Sequence, residues 1–135
     1  MKATRPSDLE LQILSVLWRR GPSTVRQVLH AMPDGKKRAY TTILSTMQVM
    51  EKKKLVTHTA EGLAHVYRPA VSKRRIVKPL LRNLITTVFG GSASAALQHL
   101  LTDADVSDEE LAEIRALIDD HQRRRESLRS KGAKP

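Results

Sequence analysis

Apolar residues recur at helical spacing in three stretches of the first 54 residues of the chain. Within each stretch they stand three or four positions apart, as on one face of an α-helix. The three faces are Leu9, Ile13, Leu14 and Leu17; Val25, Val28, Leu29 and Met32; and Tyr40, Ile43, Leu44, Met47 and Met50. Gly21-Pro22 and Pro33-Asp34-Gly35 break the pattern between them. The spacing therefore predicts three helices, of which the third runs from about Ala39 to Lys53.

Short polar residues mark the places where helices begin. Ser7 followed by Glu10 fits the capping box, in which a hydroxyl and a carboxylate bond to free backbone amides. Ser23 or Thr24 suits the N-cap of the second helix. Ser107 with Glu110 repeats the box near the end of the chain. We therefore expect helices to begin directly after these residues.

After Lys54 the pattern changes to short β-prone runs. Residues 55–59 and 65–67 flank Glu61-Gly62, which predicts a hairpin, and Pro69 closes it. Three short helices followed by a two-stranded hairpin are typical of a winged helix. We therefore predict a mainly α fold with a small β-hairpin, in which residues 1–71 form a winged helix-turn-helix domain.

From Ser72 onwards the apolar spacing is helical again and forms a broad stripe that ends at Phe89-Gly90-Gly91. Pro79 either lies in the first turn of this helix or kinks a helix that begins near Ser72. A small Ala/Leu helix and a last helix follow. Residues 123–135 are polar and charged, and we expect them to form a flexible basic tail.

The C-terminal helices carry more aliphatic side chains than a monomer of their size can enclose. They could pack back on the N-terminal domain, but the two halves differ sharply in charge, and we therefore favour self-association. Residues 72–122 are then a helical dimerisation domain. The side chains predicted at the dimer interface are Val77, Leu80, Leu81, Leu84, Ile85, Val88, Phe89, Leu97, Leu111, Ile114 and Ile118.

All of the net charge of +10 comes from the first part of the chain. Residues 1–75 hold 15 Lys and Arg against 5 Asp and Glu, whereas residues 76–135 hold 9 of each. A basic half joined to a neutral half indicates an anion-binding module with a second function attached. A basic surface kept only for solubility is the alternative.

The third predicted helix has an unusual polar face of small hydroxyl side chains. Such side chains allow close approach to a groove floor, where they can bond to base edges, and a threonine methyl can contact a thymine methyl. The predicted base contacts are Thr41, Thr42, Ser45 and Thr46. No arginine or asparagine stands on this face, so we expect modest discrimination by one monomer and a need for two half-sites.

Basic residues flank this helix on both sides, and the hairpin would form a wing behind it, with His58 also in reach of DNA. Such residues hold phosphates while the helix contacts bases. Taken singly, each fits a solvated surface equally well, and Thr41 and Thr42 fit a plain helix start. The predicted backbone contacts are Lys37, Arg38, Tyr40, Lys52, Lys53, His65 and Arg68.

Nothing in the pattern predicts catalysis or a bound metal. The chain has no cysteine, which excludes disulfides and thiolate chemistry. Its five histidines are scattered, and Asp119-Asp120-His121 fits a solvated helix end. Glycine-rich phosphate loops are absent as well. We therefore expect no enzyme activity, no metal and no cofactor.

Two other classes of nucleic-acid-binding protein and a membrane-docked protein are alternatives to a regulator. A DNA-coating protein would share the basic winged helix but bind any duplex. RNA binding and membrane docking both call for exposed aromatic residues, and the chain has only four aromatics of the Phe, Trp and Tyr type. With no leader-like start and no long apolar run, we expect a cytoplasmic protein with no membrane partner. The defined recognition face and dimer stripe favour regulation over coating.

Several short motifs together resemble a known family. They are residues 9–14 with Leu17-Trp18, residues 21–28, residues 39–44, Lys54-Leu55-Val56, Glu61-Gly62, residues 64–69 and Phe89-Gly90-Gly91-Ser92. This combination resembles the penicillinase-repressor (BlaI/MecI/CopY) family of winged-helix regulators. The resemblance implies a homodimeric repressor on inverted-repeat operators in double-stranded DNA, upstream of genes for antibiotic resistance, metal export or stress. It also implies intertwined C-terminal helices and places the hydroxyl face on the recognition helix.

The chain departs from the family pattern in three places. The copper-responsive branch has a cysteine-rich metal site, which a chain without cysteine cannot form. In the β-lactam-responsive branch an Asn-Phe pair is cleaved, and here His99-Leu100 stands in its place, which argues against release at that bond. Leu63 occupies a wing position where a basic residue is commoner. The resemblance still implies a protease or another inducing factor as a partner.

Overall fold

The computed structural model describes residues 5–103 and 105–132. Three helices and three short strands come first, and three further helices follow. The elements are α1 (Asp8–Arg20), β1 (Ser23–Thr24), α2 (Val25–His30), α3 (Tyr40–Lys52), β2 (Val56–Glu61), β3 (Ala64–Pro69), α4 (Lys73–Val88), α5 (Ala93–Asp103) and α6 (Asp108–Gly132). The chain divides into two compact units, residues 1–83 and 84–135. The predicted fold class, mainly α with a winged helix-turn-helix, is confirmed.

Reciprocal side-chain caps begin the first two helices. The Ser7 hydroxyl accepts from the Glu10 amide at 3.2 Å, and the Glu10 carboxylate accepts from the Ser7 amide at 2.8 Å. Thr24 and Gln27 exchange the same pair of bonds at 3.1 and 2.9 Å. The first capping box is thus confirmed, and of the two candidates for the second cap the structure uses Thr24.

The sheet has the strand order β1-β3-β2 and is antiparallel throughout. The register of the hairpin runs from Val56 opposite Pro69 to Glu61 opposite Ala64. Gly62 takes a φ of 63° in the tight turn, a conformation that costs glycine little. Strand β1 pairs Ser23 with Tyr67 and was not predicted, because two residues are too few to show an alternating pattern.

A hydrophobic core lies between helices α1, α2 and α3 and the sheet. Its buried residues are Ile13, Leu14, Val16, Leu17, Val25, Val28, Met32, Ile43, Met47, Met50, Leu55, Val56 and Tyr67. The indole of Trp18 donates to the carbonyl of Val71 at 3.0 Å and so holds the segment that follows the hairpin against α1. The core thereby fixes α3 relative to the wing.

The long helix α4 begins after Ser72, whose hydroxyl accepts from the Arg75 amide at 3.1 Å. Pro79 therefore lies in the helix interior rather than in its first turn. At the other end, the Gly91 amide donates to the Ile85 carbonyl at 2.9 Å. Gly90 and Gly91 both have positive φ, which lets the chain reverse there.

The last helix, α6, continues to Gly132, well into the segment expected to be a tail. Arg123 and Arg124 both pair with Asp120, at 3.2 and 3.1 Å. Charged residues with good helix propensity sustain the helix without any buried face. The flexibility expected of residues 123–135 stays a prediction, and residues 133–135 lie outside the described residues.

In the described parts of the chain, no one helix combines the length and the apolarity that a membrane span requires. Helix α4 and residues Ala93–Thr102 reach that length and apolarity only when they are taken together, and the chain bends sharply between them.

Candidate nucleic-acid interface

Helix α3 presents one buried face and one exposed face. Ile43, Met47 and Met50 are buried in the core. Thr41, Thr42 and Ser45 are exposed, and Thr46 is half-buried at the edge. Tyr40, which the pattern placed on the apolar face, keeps 39% of its surface exposed, and its ring lies 5.1 Å from the guanidinium carbon of Arg26. The predicted base-contact residues therefore share one accessible surface of the helix.

Two of the four hydroxyls on this face are already engaged. Ser45 Oγ and Thr46 Oγ1 both donate to the carbonyl of Thr42, at 3.2 and 2.7 Å. With their protons directed to the helix backbone, these two oxygens can only accept from a ligand. Within the described residues, the hydroxyls of Thr41 and Thr42 have no such bond and can both donate and accept.

Gln48 is a residue on this face that the predicted site leaves out. It is exposed, and its amide forms no hydrogen bond to any residue the structure describes. Its position three residues after Ser45 and four before Lys52 places it on the same stripe. The signal was present in the sequence, because glutamine, like asparagine, can bond to adenine through two atoms at once.

A cleft separates α3 from the wing. From α3 it is lined by Tyr40, Leu44 and Gln48, and from the wing by Leu63, Ala64 and His65. Leu63 is fully exposed at the tip of the wing. The fold therefore brings two of the predicted phosphate contacts, Tyr40 and His65, to the two sides of one opening.

The loop before α3 is ordered by an ion pair. Arg38 binds the carboxylate of Asp34 through two nitrogens, at 2.8 and 2.6 Å, and the Lys36 amide donates to the same carboxylate at 3.1 Å. The Arg38 guanidinium and the Lys36 amide hold the pKa of Asp34 well below its usual range. Lys37 is exposed and has no partner in the described residues.

Lys53, a predicted backbone contact, is exposed but is paired with a buried carboxylate of its own domain. Its ammonium lies 2.9 and 3.1 Å from the two oxygens of Glu10, whose side chain is only 4% exposed. Burial by itself raises the pKa of Glu10, but hydrogen bonds from Ser7 and Lys53 outweigh burial, and the pKa is lowered. Lys52 next to it is exposed and has no partner among the described residues.

The wing carries a stack of aromatic and imidazole rings next to the end of α3. His58 and His65 stack with ring centroids 4.4 Å apart, and Tyr67 lies 5.2 Å from His58. Glu51 holds His58 Nδ1 at 2.7 Å. Burial, followed by the charge of Glu51, raises the pKa of Tyr67. His58 is therefore bound to α3, and only His65 is exposed for a ligand.

Arg68 lies along the wing rather than toward the cleft. Its guanidinium donates to Thr59 Oγ1 at 2.6 Å and to Glu61 at 3.4 Å. A weak, exposed pair of this kind leaves most of its donors available.

None of the predicted dimerisation residues is buried. Leu81, Leu84, Val88, Leu111 and Ile118 are exposed, Val88 to 64%. The half-buried members are Val77, Leu80, Ile85, Phe89, Leu97 and Ile114. Their role stays a prediction. Within the described residues, no three His, Asp or Glu side chains are grouped in a way that could hold a metal ion.

Comparison with known proteins connects this geometry to a family. The model of the penicillinase repressor family matches residues 6–120. The chain belongs to the penicillinase repressor family. It is 35% identical over 122 residues to the transcriptional regulator BlaI of Mycobacterium tuberculosis, covering 85% of this chain and 88% of that protein. It is 21% identical over 124 residues to the penicillinase repressor of Bacillus licheniformis, covering 92% and 97%.

Two solved structures are also similar. One is the solution structure of the monomeric form of Bacillus licheniformis BlaI in complex with a half-operator, with 25% identity, a TM-score of 0.46, and coverage of 54% of this chain and 89% of that one. The other is a homodimeric winged helix-turn-helix DNA-binding domain from Mycobacterium bovis, with 22% identity, a TM-score of 0.42, and coverage of 62% and 72%.

Family membership confirms the predicted resemblance and the broad function. The named relatives are transcriptional regulators and repressors rather than enzymes. The chain is accordingly a DNA-binding transcriptional repressor and not an enzyme.

Proposed function

We propose that the chain represses transcription as a homodimer, with one α3 helix in the major groove of each half of an inverted-repeat operator. The observation that carries the proposal is the exposed polar face of α3, which the core holds beside a cleft and between unpaired cations. In this arrangement Thr41, Thr42, Ser45 and Thr46 contact base edges. Hydroxyl groups bond to single base atoms, so that each contact discriminates only modestly.

Residues around α3 hold the DNA backbone. Lys37 before the helix and Lys52 at its end are exposed and free of partners in the described structure, and the N-terminus of α3 itself attracts a phosphate. Tyr40, His65 and Arg68 complete the set. Arg38 joins it through the donors that its ion pair with Asp34 leaves free. Lys53 contributes less than predicted, because its charge is compensated by Glu10.

The dimer forms through α4, α5 and α6. Apolar side chains that stay exposed on these helices require a partner surface, and the matching numbers of acidic and basic residues in positions 76–135 avoid net repulsion between two copies. Residues 1–71 then form the DNA-binding domain and residues 72–122 the dimerisation domain. Helix α4 begins at Lys73, close to that boundary, and continues into the second compact unit.

Release from DNA proceeds by a route other than cutting between His99 and Leu100. Both residues lie inside helix α5, which has to open locally before a protease can bind the segment in an extended conformation. The ring of His99 also lies 5.4 Å from that of Phe89. An inducing factor, whether a protease acting elsewhere or a ligand, remains part of the proposal.

Fluorescence-anisotropy binding tests the proposed function. The native probe is the duplex upstream of the chain's own gene, and a scrambled duplex of equal composition is the control, both over a salt series. We expect the native duplex to bind roughly a thousandfold or more tightly at physiological salt. If both duplexes bind alike and weaken together with salt, a DNA-coating protein becomes the better account.

The same titrations separate the two lysines at the end of α3. The slope of log K against log salt is negative, and the loss of one phosphate contact reduces its magnitude by about 0.9. We expect that change for Lys52→Gln in each chain. We expect almost none for Lys53→Gln, the matched control, because its charge is paired with Glu10. A full change for Lys53→Gln would show that the ion pair opens on DNA.

A further inference from the structure

Gln48 is the one amide side chain on α3, and an amide on this exposed face can bond to a base through two atoms. We infer that Gln48 sets the base preference of this repressor by selecting an A·T pair. The inference rests on the proposed function, in which α3 lies in the major groove, and names the residue that discriminates there.

The hydroxyl residues on the same face are poorly suited to that role. Ser45 and Thr46 direct their protons to the Thr42 carbonyl, and their oxygens can only accept. An acceptor bonds equally to the amino group of adenine or of cytosine. Thr41 and Thr42 have a free hydroxyl, which can donate to an acceptor or accept from a donor on a base edge. Such a group does not discriminate between bases by hydrogen bonding.

The amide of Gln48, in contrast, can discriminate between bases. Its oxygen accepts from the adenine amino group while its nitrogen donates to adenine N7, and no other base offers that pair of atoms in the same arrangement. The side chain is exposed and has no competing hydrogen bond in the described residues. No bond within the protein has to break before it can bind.

The surroundings of Gln48 favour the same base pair. Val49 beside it is 45% exposed, and an apolar side chain suits contact with a thymine methyl group. Gln48 also lies roughly 10 Å along the helix from Thr41, so that the two side chains contact different base pairs. The selected adenine is therefore expected at a position separate from the contact of Thr41, once in each half-site.

Selection from a pool of randomised duplexes, followed by sequencing, tests the inference with the full chain. Gln48→Ala removes the amide, Gln48→Glu keeps its shape but can only accept, and Gln122→Ala is the matched control on α6. In the wild type and the control we expect a preferred adenine in each half-site. That preference should fall by roughly 5- to 150-fold in Gln48→Ala and shift toward cytosine in Gln48→Glu, while the other positions keep theirs.

A second measurement uses the wild-type chain and does not depend on how a variant folds. Replacing the selected adenine by 7-deazaadenine removes the N7 acceptor and should weaken wild-type binding, but not the binding of folded Gln48→Ala. If Gln48→Ala keeps the wild-type preference at every position, or 7-deazaadenine has no effect on the wild type, the inference is wrong while the proposed function stands. If the wild type enriches no sequence, the inference and the proposed function are both wrong.

Discussion

The two compact units of this repressor are both rich in helix, but only the first encloses a core. Among the residues that the structure describes, all thirteen buried hydrophobic side chains lie between Ile13 and Tyr67. In the second unit, none of the side chains that the structure describes is buried, although α6 alone has 25 residues. The first unit can therefore be stable as a monomer, whereas the second needs another surface to cover its apolar side chains.

Charge divides the chain in a similar way. The excess of ten positive charges belongs to residues 1–75, and residues 76–135 are neutral. A strongly positive surface binds DNA but resists association with a copy of itself, whereas a neutral, apolar surface does the reverse. The contrast supports the proposal that DNA binding and self-association belong to different parts of the chain.

The largest expected effect comes from breaking the proposed self-association of the second part. Leu81→Asp with Leu84→Asp places two charges on exposed apolar positions of α4. We expect a monomer by analytical ultracentrifugation. Affinity for the native duplex should fall by about a hundredfold or more. In a dimer, binding at one half-site raises the effective concentration of the second DNA-binding domain at the other half-site, and a monomer loses this effect.

Arg82→Asp is the matched control for that experiment. It changes the net charge by the same amount in the same stretch of helix but leaves the apolar stripe intact. It should remain a dimer. A proven Leu81/Leu84 monomer that binds the native duplex as tightly as the wild type would contradict the dimer proposal.

A smaller effect is expected inside the first unit. Lys53→Met leaves the buried carboxylate of Glu10 without its cationic partner, which should lower the free energy of unfolding by about 2 kcal/mol. Urea denaturation measures the loss. Lys52→Met, at an exposed position one residue away, should change stability by less than about 0.5 kcal/mol, and equal losses in both variants would show that the ion pair is not responsible.

The smallest effect concerns pH. Because the pKa of Glu10 in the folded chain is below its ordinary value of 4.5, the unfolded chain binds a proton more readily than the folded one. The ion pair therefore stabilises the fold above that pH, and its contribution is lost as the pH falls through the lowered pKa.

Denaturation of the wild type and of Glu10→Gln across that pH range measures this contribution. The stability difference between the two should shrink on acidification. Asp34 has a lowered pKa as well and titrates in both proteins, so it cancels in the comparison. A difference that stays constant down to the lowest pH at which both fold would contradict the assignment to Glu10.

Local pattern was enough to predict much of this fold. The periodicity of apolar residues predicted α1, α2 and α3, and the change to β-prone runs around Glu61-Gly62 predicted the wing, because these signals arise from neighbours in the chain. The polar face of α3 was predicted for the same reason, since a helix surface follows directly from residue spacing.

Contacts between distant residues were decided only by the tertiary structure. Glu10 and Lys53 are 43 residues apart, and Trp18 and Val71 are 53 apart, so that no local spacing could indicate either pair. Strand β1 exists only because Ser23 and Thr24 lie beside β3. The choice among residues on α3 also depended on structure. Hydrogen bonds to Thr42 occupy the hydroxyl protons of Ser45 and Thr46, whereas the amide of Gln48 has no hydrogen bond within the described residues. Sequence thus determined which surface we propose for DNA, and packing determined which side chains on that surface are available.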